Sequence, residues 1–283
     1  MFRSSIVMKT KKSIDLEFVL AEAALAAGSM IRDRAFNYGT ISWKKKDDPV
    51  TALDREGEQI IKRVLGQYYN ANFIGEEYGA EDNDSELTFF IDPIDGTKSF
   101  IKRDFNSAVS IGVEEGGQLV GGVVYDFMRD IMYIGSYGST SVVHAGVTMP
   151  FSSEKKLSKV HLSLDGAGGL LSAFVESDEL SLSKRNGSLA LAMAQLAAGN
   201  YEGLIQIPEK GKGSVWDVAA GCYLLNCGRF WIRDGCGQEF DYHATPGKGI
   251  IAIHEDVLPL VRPMIEKTFE KIVVGDGGGR YGN

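Results

Sequence analysis

The sequence predicts an α/β fold, layered as an α+β sandwich. Three observations predict it: two amphipathic helical stretches before residue 70, short β-branched runs separated by glycine and polar turns between residues 87 and 145, and alternating strand and helix signals beyond Pro150. At 283 residues the chain has room for one large domain or two intimately packed halves. Hydrophobic residues at 44% and charged residues at 24% suit a chain with a sizeable core, which excludes disorder and fibrous repeats.

Residues 15 to 36 place Leu16, Val19, Leu20, Ala23, Ala24 and Ala27 at helical spacing and meet Gly28 late in the run, a first helix expected to pack on a sheet. Asp48-Pro49-Val50-Thr51 is extended, because a residue before proline avoids the helical region. Ile60, Ile61, Val64 and Leu65 mark one face of a second helix that ends near Gly66, with Asp54 at or near its start. A short strand, Asn72 to Ile74, follows. The runs Thr88–Ile91, Ala108–Val113, Leu119–Tyr125, Ile131–Ile134 and Ser141–His144 then read as a meandering antiparallel sheet, with Gly116-Gly117 as a tight hairpin turn. Beyond Pro150 come strand Val160–Leu164, helix Ser188–Ala198, strand Leu204–Ile207, helix Val215–Leu225, strand Ile250–Ile253 and a last helix after His254. The change of pattern near Ser152-Ser153 separates an N-terminal α+β half, residues 1–152, from a smaller C-terminal α/β half, residues 153–283.

No apolar run approaches the roughly 20 residues that cross a bilayer, since Leu20 to Ala27 is broken by Glu22, so no membrane partner is expected. Arg3, Lys9, Lys11 and Lys12 near the N-terminus lack the apolar centre and cleavage site of a secretory signal. Cys222, Cys227 and Cys236 are an odd, sparse set, which points to a reducing compartment and a cytoplasmic setting. With no paired Cys-x-x-Cys unit they are not read as a zinc site, even with His243 nearby. A net charge of −8 excludes a nucleic acid polymer as the expected partner. An acidic protein that handles phosphate must supply positive charge some other way, which points to bound metal.

Asp92-Pro93-Ile94-Asp95-Gly96-Thr97 follows an apolar strand and sends two carboxylates out on a rigid turn. Two like charges about 4 Å apart cost roughly 4 kcal/mol at an effective dielectric near 20. A compact acidic turn tolerates that only with a cation or a captured proton. Oxygen donors without His or Cys beside them favour Mg²⁺. Asp-Pro and Asp-Gly are also ordinary turn dipeptides, so the hexapeptide alone leaves a purely structural reading open. Gly75-Glu76-Glu77 offers a carboxylate at another strand end, with a solvated loop as its alternative. Asp54 at the start of the second helix and Asp217 in the first turn of Trp216-Asp217-Val218-Ala219-Ala220-Gly221 are each open to reading as a helix cap.

Taken together, in this order and spacing, the four segments resemble the inositol monophosphatase superfamily, over roughly residues 15 to 225. The resemblance implies a sugar-phosphatase-like fold and a Mg²⁺-dependent phosphomonoesterase with two or three ions. It implies that Glu76, Asp92 and the Ile94 carbonyl hold one metal and that Asp92, Asp95 and Asp217 hold a second. Asp54 and Thr97 match the pair that orients the attacking water, and Gly96 and Thr97 present amides to the phosphate. Glu76 belongs to the same catalytic set, while Gly187-Ser188-Leu189, with Asp95 and Asp217, would line the rest of the substrate. The N-terminal half would thus carry most metal ligands, and the C-terminal half Asp217 and the substrate-lining segments. A homodimer is also implied.

The implied substrate is a small phosphate ester, inositol monophosphate or a sugar phosphate. A 3′-phosphoadenosine 5′-phosphate, fructose-1,6-bisphosphate or histidinol-phosphate phosphatase stands as the alternative, and a non-catalytic phospholigand- or partner-binding protein as the reading from another class. In Ile207-Pro208-Glu209-Lys210-Gly211-Lys212-Gly213-Ser214 the match is loose: Glu209 is read against a sugar hydroxyl, Lys210 and Lys212 against a second phosphate. Lys98 and Phe100 tilt slightly toward the nucleotidase and histidinol-phosphatase branches. Leu225-Asn226-Cys227-Gly228-Arg229 departs from the acidic glycine-rich turn common in the family, and His144, His161, His243 and His254 fall outside the matched motifs.

Overall fold

The computed structural model describes residues 15–37, 39, 41–45, 48–151, 160–165, 178–184, 187–207, 213–244 and 246–275. Five layers alternate helix, sheet, helix, sheet, helix. The first holds α1 (Leu16–Asp33) and α2 (Ala52–Tyr68). In α1, Leu16, Val19, Leu20, Ala23, Ala24, Ala27 and Ile31 form the buried stripe that the spacing predicts, and Asp15 accepts the Glu17 N–H to cap the helix. A short hairpin, β1 (Ser42–Lys45) with β2 (Asp48–Val50), joins the two helices.

The first sheet contains β3 (Asn72–Gly75), β4 (Gly79–Glu81), β5 (Leu87–Asp95), β6 (Ala108–Glu115), β7 (Gln118–Asp126), β8 (Ile131–Ser136), β9 (Ser141–His144) and β10 (Val147–Pro150), in the order β10-β9-β8-β7-β6-β5-β3-β4. Neighbours are antiparallel except β3 and β5, which run parallel. Val109, Ile111 and Val113 of β6 face α1 and α2, while Ala108 faces the next helix layer, as the two-residue period of a strand requires.

That layer holds α4 (Leu189–Ala197) and α5 (Val215–Asn226). α5 sits close on the sheet because Gly112 and Gly122 present no side chains: a Cβ at Gly112 would lie 2.5 Å from that of Ala219. Ala108, Val124 and Tyr133 of the first sheet share one core with these helices and with Leu204, Ile250 and Ala252 of the second sheet. The second sheet runs β12 (Leu180–Lys184), β11 (Val160–Asp165), β13 (Gly203–Gln206), β15 (Ile250–His254), β14 (Phe230–Asp234). Ile251 and Ile253 point to its far side, against Val261 and Ile265 of α6 (Leu258–Gly275).

Local differences from the sequence reading have physical causes. β5 runs on to Asp95 instead of ending at Ile91, with an irregularity between Asp92, opposite Ser110, and Asp95, opposite Ala108. Pro93 sits in that irregularity, where a missing N–H breaks no ladder bond. α3 (Thr97–Lys102) has only six residues, too few to show a period, and β10 is exposed along its length, so neither left a hydrophobic signature. The pattern change at Ser152-Ser153 lies outside the described residues. No helix among the described residues is long and apolar enough to cross a membrane.

Candidate functional site

The parallel pair β3 and β5 ends side by side, with Gly75 opposite Ile91 and the Glu76 N–H donating to the Ile91 carbonyl at 3.1 Å. Parallel strands deliver the residues that follow them to the same edge of the sheet. Glu76 follows one strand, and Asp92 and Asp95 close the other. The Asp92 Oδ1 accepts the Ile94 N–H at 3.0 Å, which fixes the turn.

Gly96, at φ +87°, ends the turn and begins α3. The Thr97 hydroxyl lies 3.0 Å from the Ile94 carbonyl and 3.1 Å from Asp54 Oδ1, so its one hydrogen has two acceptors. Asp54 is both a helix cap and a site residue. Its Oδ2 takes the Thr51 N–H at 2.8 Å and the Thr51 hydroxyl at 2.6 Å, and the other oxygen is left to Thr97.

Asp95 is buried, and its Oδ2 is claimed by Ser188 Oγ at 2.5 Å and the Ala190 N–H at 2.7 Å. Ser188 meanwhile caps α4 by accepting the Leu191 N–H at 2.9 Å. The Ser188 N–H donates to the Asn106 carbonyl at 2.8 Å. Gly96 and Gly187 both crowd that carbonyl: an added Cβ would lie 2.7 Å and 2.1 Å from it, so neither position accepts a side chain.

Asp217 stands at the third position of α5 and accepts the Ser214 N–H at 2.7 Å. Ser110, which pairs with Asp92 across the sheet, donates its hydroxyl to the Trp216 carbonyl at 3.2 Å. That bond ties the first turn of α5 to the strand beside Asp92. One carboxylate oxygen from each of Asp92, Asp95 and Asp217 lies within 4.8 Å of the others.

Burial pushes Asp92 well above the usual carboxylate range, and the negative charges of Glu76, Asp95 and Asp217 push it further. Asp217 rises to about 8, first through burial and then through Asp95 and Glu76, with the Ser214 amide opposing. Asp54 rises to about 6 through burial, against the lowering effect of its bonds to Thr51. Buried acids that lift one another in this way are relieved by a cation, and a donor set made only of oxygens fits a hard divalent ion. The site therefore fits the metal that its chemistry calls for.

Asp54, Glu76, Asp92, Ile94, Asp95, Gly96, Thr97, Gly187, Ser188 and Asp217 thus gather about the ends of β3 and β5, with Leu189 opening α4 beside them. Glu209, Lys210 and Lys212 lie outside the described residues. Phe100 is a core residue packed edge-on against Phe127, and so says nothing about substrate, while Lys98 is exposed. All three cysteines are free. His144 and His243 are exposed and His254 is buried.

Three contributors escaped the sequence reading. Ser110 and Asn106 act through a hydroxyl and a carbonyl, which leave no pattern. Glu58 did leave one, because Asp54, Glu58, Ile61 and Leu65 form a single buried helical stripe in which a second carboxylate replaces an apolar residue. Its pKa is raised by burial, against the opposing Glu77 and Tyr78 amides.

The model of the inositol monophosphatase family matches residues 15–256. A protein of Aquifex aeolicus named fructose-1,6-bisphosphatase/inositol-1-monophosphatase is 30% identical over 224 residues, 72% of this chain and 79% of that protein. The inositol monophosphatase of Mesembryanthemum crystallinum is 31% identical over 244 residues, 79% of this chain and 87% of that protein. The crystal structure of the extragenic suppressor protein SuhB from Bartonella henselae superposes with a TM-score of 0.74 at 26% identity, covering 90% of this chain and 98% of that one. On this acidic cluster and these matches, the chain belongs to the inositol monophosphatase family and is a phosphoric monoester hydrolase acting on small phosphate esters.

Proposed function

We propose that this phosphatase hydrolyses a cyclitol or sugar monophosphate, inositol monophosphate first among them, and that it uses two or three Mg²⁺ ions. The observation that carries the reading is the approach of Asp92, Asp95 and Asp217 oxygens to within 4.8 Å. Glu76, Asp92 and the Ile94 carbonyl would hold one ion, and Asp92, Asp95 and Asp217 a second. Bound there, the ions would neutralise the phosphate dianion, acidify the attacking water and stabilise the leaving alkoxide.

The chain's own groups would do the rest. Thr97 spends its hydrogen on Asp54 or Ile94, leaving an oxygen lone pair to accept from a water. Asp54, raised to about 6, is suited to take a proton near neutral pH. The Gly96 and Thr97 amides would bind phosphate oxygens at the opening turn of α3. Gly187, Ser188, Leu189, Asp95 and Asp217 would face the alcohol part of the ester, with Glu209 as a further hydroxyl partner.

The test is Mg²⁺-stimulated phosphate release from inositol 1-phosphate, fructose 1,6-bisphosphate, histidinol phosphate and 3′-phosphoadenosine 5′-phosphate. Inositol 1-phosphate is expected to turn over with the highest kcat/KM. Preference for a bisphosphate would overturn the substrate assignment, and turnover undiminished by chelator would overturn the metal. Fructose 1,6-bisphosphate is the second reading, favoured by the dual name of the Aquifex aeolicus relative. We propose a cytoplasmic homodimer as the working form, supported by the three free cysteines for the compartment and by the family resemblance for the dimer. Light scattering on the purified protein tests the dimer.

A further inference from the structure

Glu58 has no part in the reading above, and its surroundings give it one. It lies on α2 four residues after Asp54 and is fully buried. Its Oε2 accepts the Glu77 N–H at 2.7 Å and its Oε1 accepts the Tyr78 N–H at 3.3 Å. Both oxygens are thereby committed to backbone amides. The carboxylate also fills the place where residue 75 would carry a side chain: a Cβ at Gly75 would lie 2.1 Å from Oε1 and 2.6 Å from Oε2. Glu58 thus grips Gly75 on one side of Glu76 and Glu77 and Tyr78 on the other, while the Glu76 N–H is held by Ile91.

A leucine at this position would suit the Ile61 and Leu65 stripe and would avoid burying a further negative charge near Glu76. A carboxylate is explained by what only it can do, which is to accept two neighbouring amides with charge-assisted bonds. We propose that Glu58 is a positioning residue: by clamping the Gly75–Tyr78 turn to the helix that carries Asp54, it aims the Glu76 carboxylate at Asp92 and so sets the affinity of the site for divalent cation. The proposal rests on the reading of Glu76 and Asp92 as metal ligands.

The experiment measures Mn²⁺ binding to the full chain by electron paramagnetic resonance, alongside the Mg²⁺ concentration for half-maximal activity. Glu58→Gln puts an amide donor against a backbone N–H, and Gly75→Ala displaces the carboxylate from the other side. Each is expected to weaken Mn²⁺ binding and raise the Mg²⁺ requirement by about 10-fold or more, as loss of a ligand's support does. kcat at saturating Mg²⁺ should stay within about threefold of wild type, since the reacting groups are intact. Glu58→Asp, which keeps the charge but shortens the reach, should fall between. A lower Tm with unchanged Mn²⁺ affinity in these variants would reduce Glu58 to a structural role and overturn the proposal. If Glu58→Gln fails to fold, Gly75→Ala and Glu58→Asp decide by the same measure. Asp92→Asn separates the two levels. Wild-type Mn²⁺ binding in that variant sinks the metal reading itself, whereas weak binding there beside wild-type binding in the Glu58 and Gly75 variants sinks only the inference about Glu58.

Discussion

Asp54 and Asp217 each occupy the third position of a helix and accept the N–H of the residue that caps it, Thr51 at 2.8 Å and Ser214 at 2.7 Å. Their local geometry is nearly the same, yet Asp54 rises to about 6 and Asp217 to about 8. The difference comes from what lies beyond the helix. Burial and Glu76 raise both, but Asp54 also receives the Thr51 hydroxyl at 2.6 Å and the Thr97 hydroxyl at 3.1 Å, while Asp217 faces Asp95 as well. One capping carboxylate is supplied with donors and is suited to proton transfer; the other is crowded by acids and is suited to a cation. The same local motif serves two chemistries according to its neighbours.

Removing the crowded partner should have the largest effect. Asp217→Asn is expected to lower kcat/KM at fixed Mg²⁺ by on the order of 10³-fold, the scale of losing one electrostatic contact to the transition state. Mn²⁺ affinity should fall in parallel. If the variant binds Mn²⁺ as wild type does, Asp217 is only a cap and the contrast between the helices disappears.

Asp54→Asn comes next, with an expected loss in kcat of about 10²-fold, the lower end of the range for general acid–base assistance, because Thr97 still holds the water. The Mg²⁺ requirement should stay near that of wild type. A large rise in that requirement would put Asp54 in the same role as Asp217.

The pH dependence of stability sharpens the contrast without touching activity. Both acids have folded pKa values above the unfolded value of about 3.9, so the fold favours their protonated forms. This stabilisation is complete below about pH 4 and is lost as pH rises, through about 6 for Asp54 and about 8 for Asp217. The Tm of the chelator-treated protein should therefore fall from about pH 4 to about pH 8, and Mg²⁺ should restore most at the alkaline end. Asp217→Asn should flatten the upper part of that curve and Asp54→Asn the lower part. A metal-free Tm that rises with pH would contradict the crowding of these acids.

The smallest effect is expected at the cap itself. Thr51→Ala removes one hydroxyl from Asp54 and the acceptor for the Leu53 N–H at 3.1 Å. It should cost about 1 kcal/mol in chemical denaturation, the usual worth of a helix N-cap. It should also raise the acidic limb of the pH–rate profile, because Asp54 loses a bond that favours its charged form. An unmoved limb would mean that Asp54 does not set that limb.

Much of this was legible in the chain. The α1 stripe, the antiparallel meander and the alternation after Pro150 each declare themselves through a period of a few residues, and the acidic turn through turn chemistry. Asp54 was legible as a cap or as the partner of Thr97 in orienting water, and Asp217 as a cap or a metal ligand; the structure shows that one carboxylate can cap a helix and still stand beside the acidic turn. β10, α3 and the continuation of β5 to Asp95 were not legible, because exposure, shortness and an interruption at Pro93 erase the period. Glu58 was visible only as a carboxylate out of place on an apolar stripe.

By itself the sequence determined the local elements, the acidic turn after β5 and the helix starts that carry Asp54 and Asp217, since each depends on contacts within a few residues. Only the tertiary structure decided which of them meet. Ser110 and Trp216, 106 positions apart, bring Asp217 to Asp92, and Ser188 and Asp95, 93 positions apart, fix one oxygen of Asp95. Such meetings depend on how sheet and helix layers seat against one another, a property of the packed core that no short stretch of chain contains.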